Sequence, residues 1–222
     1  MMKHLLTALL ALAITSTSSA HFPYLIPGSG NQGKAIFSDT LKPDTIVSIE
    51  RMAQTKLTVV GDSKEIPLTF DKASNSYTFE VPGSGNRIVY GTTNLGIVQR
   101  GESKPFRLLY YPKAIFGELG DKSTVGDQLP IELVPIREGD KLRFKVLIGG
   151  KPMEKVDVTV LIPGEEKGKV FLTDSAGLTP VFEKGGTYGA QCRFVEAKAG
   201  EVAGKKYEET RHYATLVVNI GK

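Results

Sequence analysis

The chain holds one cysteine, Cys192, no tryptophan and only three histidines. A single thiol excludes an internal disulfide, so the fold cannot rest on an oxidised cross-link. With so few histidines and no G-x-S-x-G stretch, a serine–histidine–aspartate hydrolase is not expected, and no enzymatic activity is read from the sequence. Charge of one sign is also scarce: 28 Lys and Arg against 24 Asp and Glu leave a formal +4, spread along the chain. No basic run is interleaved with aromatics, which excludes nucleic acid as an expected partner. Beyond residue 20 no apolar run approaches the length that crosses a bilayer. Amphipathic helices are missing too; residues 48–54 (SIERMAQ) offer a turn or two at most. Gly28-Ser29-Gly30 and Gly83-Ser84-Gly85 lack a following helix, so they read as turns rather than phosphate cradles.

What is present begins with the first residues. Lys3 and His4 are polar and basic, residues 5–14 (LLTALLALAI) are apolar, and Ser18 and Ala20 are small. That order predicts a signal peptide over residues 1–20, cut after Ala20, and hence a periplasmic or secreted protein that starts at His21. After it, short stretches of period-2 alternation are punctuated by turn residues, in keeping with 24 glycines and 12 prolines. Strands are expected near 33–37, 45–49, 56–60, 66–70, 76–81, 86–92 and 106–111. A second series is expected near 131–136, 141–148, 157–162, 169–173, 178–182, 186–196 and 207–220. Residues 112–128 show no periodicity. The organisation read from this is an all-β chain of two β-sandwich domains of immunoglobulin- or transthyretin-like type. They span residues 21–115 and 129–222, with 116–128 as linker and residues 22–24 docking the N-terminal segment.

His21 and His212 are the two histidines beyond the leader. A histidine in first position offers an α-amine and an imidazole Nδ1 on neighbouring atoms, which can close a chelate ring on one metal ion. Both groups shed protons at modest cost near neutrality. A second imidazole would complete a three-nitrogen histidine brace, a donor set suited to Cu(II) or Ni(II). Alternation puts His212 on the core-facing side of the last strand, across from residue 191 or 192, with Glu196 near residue 207 or 208. Glu196 is the candidate oxygen donor. The competing reading of the two histidines is structural, each hydrogen-bonded at a strand or domain edge. Cys192 reads as a small buried apolar residue, and Asp39 and Asp44 as caps of the Lys42-Pro43 turn.

The start HFPYLIP, the phrases FSDTLKPDT and VPGSGNRIVYG, and the end AKAGEVAGKKYEETRHYATLVV resemble a family of exported bacterial proteins. That family is a domain of unknown function, described as a periplasmic component of nickel or cobalt uptake. The resemblance spans nearly all of the chain beyond residue 20, with RHYATL as its most specific piece. It implies nickel or cobalt as the ion, beside the copper that the donor set suits, metal ligands at His21 and His212, and a membrane metal transporter as partner. Relatives often carry a further histidine before the last hairpin, where this chain reads Arg193-Phe194-Val195-Glu196. Phe194 departs from that pattern, leaving Glu196 as the substitute ligand. Two other functions fit the same residues: a structural or adhesive envelope sandwich without metal, and a copper-dependent oxidative enzyme with an N-terminal brace. The exported protein should have the intact mass of residues 21–222; a cut even one residue away would abolish the chelate.

Overall fold

The structure is a computed structural model and describes residues 21–62 and 64–221; the leader and its cut lie outside the described residues. The first half supplies β1 (Phe22–Pro27), β2 (Gln32–Ser38), β3 (Lys56–Val59), β4 (Thr69–Asp71), β5 (Ser76–Glu80), β6 (Arg87–Val98) and β7 (Phe106–Phe116). The second supplies β8 (Ile131–Glu138), β9 (Lys141–Ile148), β10 (Lys151–Pro152), β11 (Asp157–Leu161), β12 (Lys169–Leu172), β13 (Gly186–Glu196), β14 (Gly200–Val202), β15 (Lys205–Tyr207) and β16 (Glu209–Ile220). The molecule is an all-β sandwich, and no helix among the described residues is long and apolar enough to cross a membrane.

Both halves contribute to one seven-stranded sheet in the order β12-β11-β13-β16-β7-β6-β3. Its seam is the pairing of β16 with β7, which is parallel and sets His212 beside Leu109 and Tyr213 beside Tyr110. A four-stranded sheet, β1-β2-β5-β4, lies on one face. There Phe22, Tyr24, Leu25, Ile36 and Phe37 pack against Phe106, Leu108, Tyr110 and Val217. A three-stranded sheet, β10-β9-β8, lies on the other, where Leu133, Leu142, Phe144 and Val146 meet Tyr111, Ala190, Leu216 and Val218. Two cores thus share the central sheet as a common wall. Burial of each large side chain on either face contributes about 1.5–3 kcal/mol.

Several expected elements differ from this, each for a local reason. Residues 116–128 are no free linker: Leu119 and Val125 are buried in the second core, and β7 runs on to Phe116. Residues 45–49 form no strand, because the Ile46 N–H donates to Asp44 Oδ1 at 3.0 Å and Ser48 caps a short 3-10 helix, Ile49–Met52. Residues 178–182 form no continuous strand: their backbone ladder to β9 is reduced to isolated bridges at Leu178 and Phe182. β1 forms despite Pro23 and Pro27, since it is an edge strand and need not donate on both sides. Gly33 in β2 is required by contact: a Cβ there would lie 2.4 Å from the Phe79 ring.

An ion pair is sealed inside. Lys113 of β7 and Glu132 of β8 are 1% and 2% exposed, and the ammonium donates to the Glu132 carboxylate. It also donates to the Ser123 carbonyl at 2.7 Å, while the Val125 N–H and Thr124 hydroxyl donate to Glu132 at 2.8 Å. Burial pulls the Lys113 pKa down to about 8 against the opposing pull of Glu132. The pair fastens β7, the 117–128 segment and β8 together. Lys113→Met strands a buried carboxylate and is expected to cost about 3–5 kcal/mol in urea unfolding. The double variant Lys113→Met/Glu132→Leu is expected to recover most of that loss; a single variant as stable as wild type contradicts the assignment.

Candidate metal centre

The residues singled out from the sequence fall in two separate places. His21 immediately precedes β1, and its ring stacks on Phe37 with centroids 6.5 Å apart and planes at 19°. Its side chain is only 4% exposed, and Nε2 lies 3.1 Å from Asp44 Oδ2. That approach is oblique to the ring N–H. The contact is therefore one of charge rather than an aligned hydrogen bond, and buried Nε2 has no other partner. Asp44 reaches the ring from the irregular loop after β2. Its carbonyl accepts a hydrogen bond from Asn75 Nδ2, in the turn between β4 and β5.

His212 stands in β16 on the other face of the central sheet. Its imidazole is sandwiched between the rings of Tyr111 (5.8 Å, 14°) and Phe194 (5.8 Å, 26°). Nδ1 shares a hydrogen bond of 2.9 Å with the Tyr111 hydroxyl, and Nε2 lies 3.4 Å from Glu196 Oε2. Pairing places Phe194 opposite His212 and Thr210 opposite Glu196, not residues 191–192 and 207–208. The register differs because residues 200–207 fold into a hairpin of their own, β14 with β15, which displaces the turn. Glu196 and His212 consequently share a face. Cys192 also faces the second core, 4% exposed, where burial pushes its thiol pKa up.

The faces decide which residues can act together. Ala214, Leu216, Val218 and Ile220 point with His212 into the second core. Tyr213 points the other way and meets Phe22, 5.6 Å between centroids. His21 belongs with Phe37 and Tyr110 on that opposite side. The backbone of the sheet therefore separates the two histidines, and the three-ligand set His21, His212 and Glu196 expected from the sequence is not assembled. Among the described residues no group of three or more His, Cys, Asp and Glu side chains is placed to hold a metal ion.

What the structure gives His21 is a ring packed on Phe37 with a carboxylate beside Nε2. A carboxylate facing Nε2 favours the tautomer protonated there, which leaves the Nδ1 lone pair free, as an amine–Nδ1 chelate requires. The buried Nε2 without an aligned partner fits that arrangement. Asp44 was legible in the sequence only as a turn residue, because its meeting with His21 depends on the loop after β2 folding back over β1. Tyr110, on the same side, has its pKa pushed up to about 12 by burial first and by Tyr213 second.

The His212 cluster is instead built like an interior support. Burial lowers the His212 pKa and Arg107 adds to this, against the pull of Glu196; burial raises that of Tyr111. The unfolded chain therefore takes up a proton at His212 before the folded one does, and stability falls as pH drops through about 6.5, the unfolded value. Urea unfolding at pH 7.5 and pH 5.5 should show this loss in wild type and a smaller one in His212→Phe. An equal loss in both would remove His212 as its source.

No family model matches the chain, and no curated protein matches it. Among solved structures it is similar to the D0-D1 domain of Intimin, at 15% identity with a TM-score of 0.23. That match covers 89% of this chain and 94% of the other.

Proposed function

We propose that the protein is an exported β-sandwich carrier that takes up a divalent transition-metal ion, nickel, cobalt or copper, at His21 and presents it to a membrane transporter. The observation that carries this reading is the buried His21 imidazole, packed on Phe37 with a carboxylate 3.1 Å from Nε2. Removal of residues 1–20 would free the α-amine beside Nδ1. The ion then meets two nitrogens on one residue, with Asp44 behind the ring. Nitrogen donors of this kind rank Cu(II) above Ni(II) and Co(II) in intrinsic affinity, so delivery of nickel or cobalt relies on which metal the compartment supplies. The ion is cargo, and no catalytic role is assigned to the residues around it.

His212 and Glu196 enter this function as a support rather than as ligands of the same ion. Their partners, Tyr111 and Phe194, hold β7, β13 and β16 in register on the face away from His21. A second reading, a structural or adhesive envelope protein, is favoured by one observation. β12 is an outer strand of the central sheet, with Val170 and Leu172 61% and 59% exposed, a surface suited to pairing with another chain.

Isothermal titration of protein beginning at His21 with Ni(II) and Cu(II) separates the two readings. Binding is expected in wild type and in His212→Phe, and should be lost in His21→Ala and in protein carrying one extra residue before His21. Equal binding by the extended protein, or none by wild type, would overturn the carrier reading.

A further inference from the structure

We infer that Asn75 and Asp44 form a positioning relay that fixes the His21 imidazole in one tautomer and orientation; the inference rests on the metal-carrier reading only for its purpose. The loop after β2 is irregular and largely open to solvent, with Ile46 79% exposed at its outer side. Packing alone therefore does not fix where Asp44 points. Three polar contacts do. Asp44 Oδ1 accepts from the Ile46 N–H at 3.0 Å, its carbonyl accepts from Asn75 Nδ2, and Oδ2 lies 3.1 Å from His21 Nε2. The first orients the carboxylate, the second anchors the loop, and the third places the charge on the ring.

The anchor is itself braced. Asn75 sits at φ +43°, a left-handed conformation that asparagine adopts more readily than most residues. Around it, Asp71 accepts from the Ala73 N–H at 3.1 Å and from the Ser74 hydroxyl at 2.5 Å. The Ser74 and Ser76 hydroxyls lie 2.6 Å apart. The turn between β4 and β5 is thus a firm platform, and it lies in the same four-stranded sheet as β1. From that platform the relay runs through one side-chain amide and one carboxylate to the residue at which the chelate would form.

Its chemical consequence is specific. The negative charge beside Nε2 favours the imidazole form with the proton on that nitrogen and leaves Nδ1 unprotonated. An uncharged amide in its place removes that preference. Partners of this kind behind a ligating histidine are worth roughly 10- to 100-fold in metal affinity. Asp44 and Asn75 are positioning residues here, since neither need touch the ion.

The test uses protein beginning at His21, 15N-labelled and metal-free, with the ring-nitrogen shifts of His21 read at pH 8. Wild type is expected to show predominantly the Nε2–H tautomer. Asp44→Asn, Asn75→Asp (which loses the donor at nearly constant shape) and Asn75→Gly (which accepts the left-handed φ) should each move it toward a mixture. The His212 shifts and melting temperature should stay in place and so report that the fold is intact. Titration with Cu(II) or Ni(II) should then show affinity reduced 10- to 100-fold by Asp44→Asn, and in the same direction by both Asn75 variants. Unchanged His21 shifts in Asp44→Asn or in both Asn75 variants overturn the relay, whatever the metal does. Shifted tautomers together with no metal binding by wild type support the relay and overturn the carrier reading instead.

Discussion

Because β7 and β16 lie side by side in parallel, residues from the middle and the end of the chain share one sheet, and everything else is arranged on its two faces. A parallel pair needs a long connection. Here that connection is most of the second half of the chain, which lays down the β8–β9–β10 layer and then β11 to β13 before returning. The Lys113–Glu132 pair sits where the departure begins and ties β7 to the first strand of the covering layer. Two charges in so dry a place would be costly if either stood alone. They are tolerated because Ser123, Thr124 and Val125 complete their hydrogen bonds. The same contacts fold the 117–128 segment onto the core.

The shared wall also governs the chemistry. A strand alternates its side chains, so consecutive residues of β16 serve different cores: His212 supports one and Tyr213 the other. A metal site linking His21 to His212 would have to pass through hydrogen-bonded backbone. Each histidine is instead completed on its own side, His21 by Phe37 and Asp44, His212 by Tyr111, Phe194 and Glu196. The carboxylate beside His21 faces Nε2, and the chelate would use Nδ1; at His212 protein groups face both nitrogens. That difference is why the carrier reading places the ion at His21.

Much of the fold was legible in the sequence where one physical signal acted alone. Strands at 141–148 and 186–196 coincide with β9 and β13, since period-2 alternation between clear turns leaves little choice. The Leu216–Val218–Ile220 face of β16 was legible for the same reason, but its other face was not. Thr215, polar in sequence, is buried because its hydroxyl donates to the Pro23 carbonyl at 2.5 Å. The merging of the two halves left no local trace, as sheet pairing between residues a hundred positions apart is not written in either strand. At the candidate site, His21, His212 and Glu196 were identifiable as chemically able groups, and Glu196 does meet His212. Alternation did place His212 on the core-facing side, but its partner Phe194 depended on the β13–β16 register, and the role of Asp44 on a loop closing over β1. Both are tertiary facts.

In the carrier reading one histidine, His21, and not the pair, would bind the ion. Pulsed electron paramagnetic resonance of Cu(II)-loaded protein beginning at His21 counts coordinated imidazoles through their remote nitrogens. The account predicts modulation from a single imidazole, unchanged in His212→Phe. Combination bands from two equatorial imidazoles, lost in that variant, would contradict it.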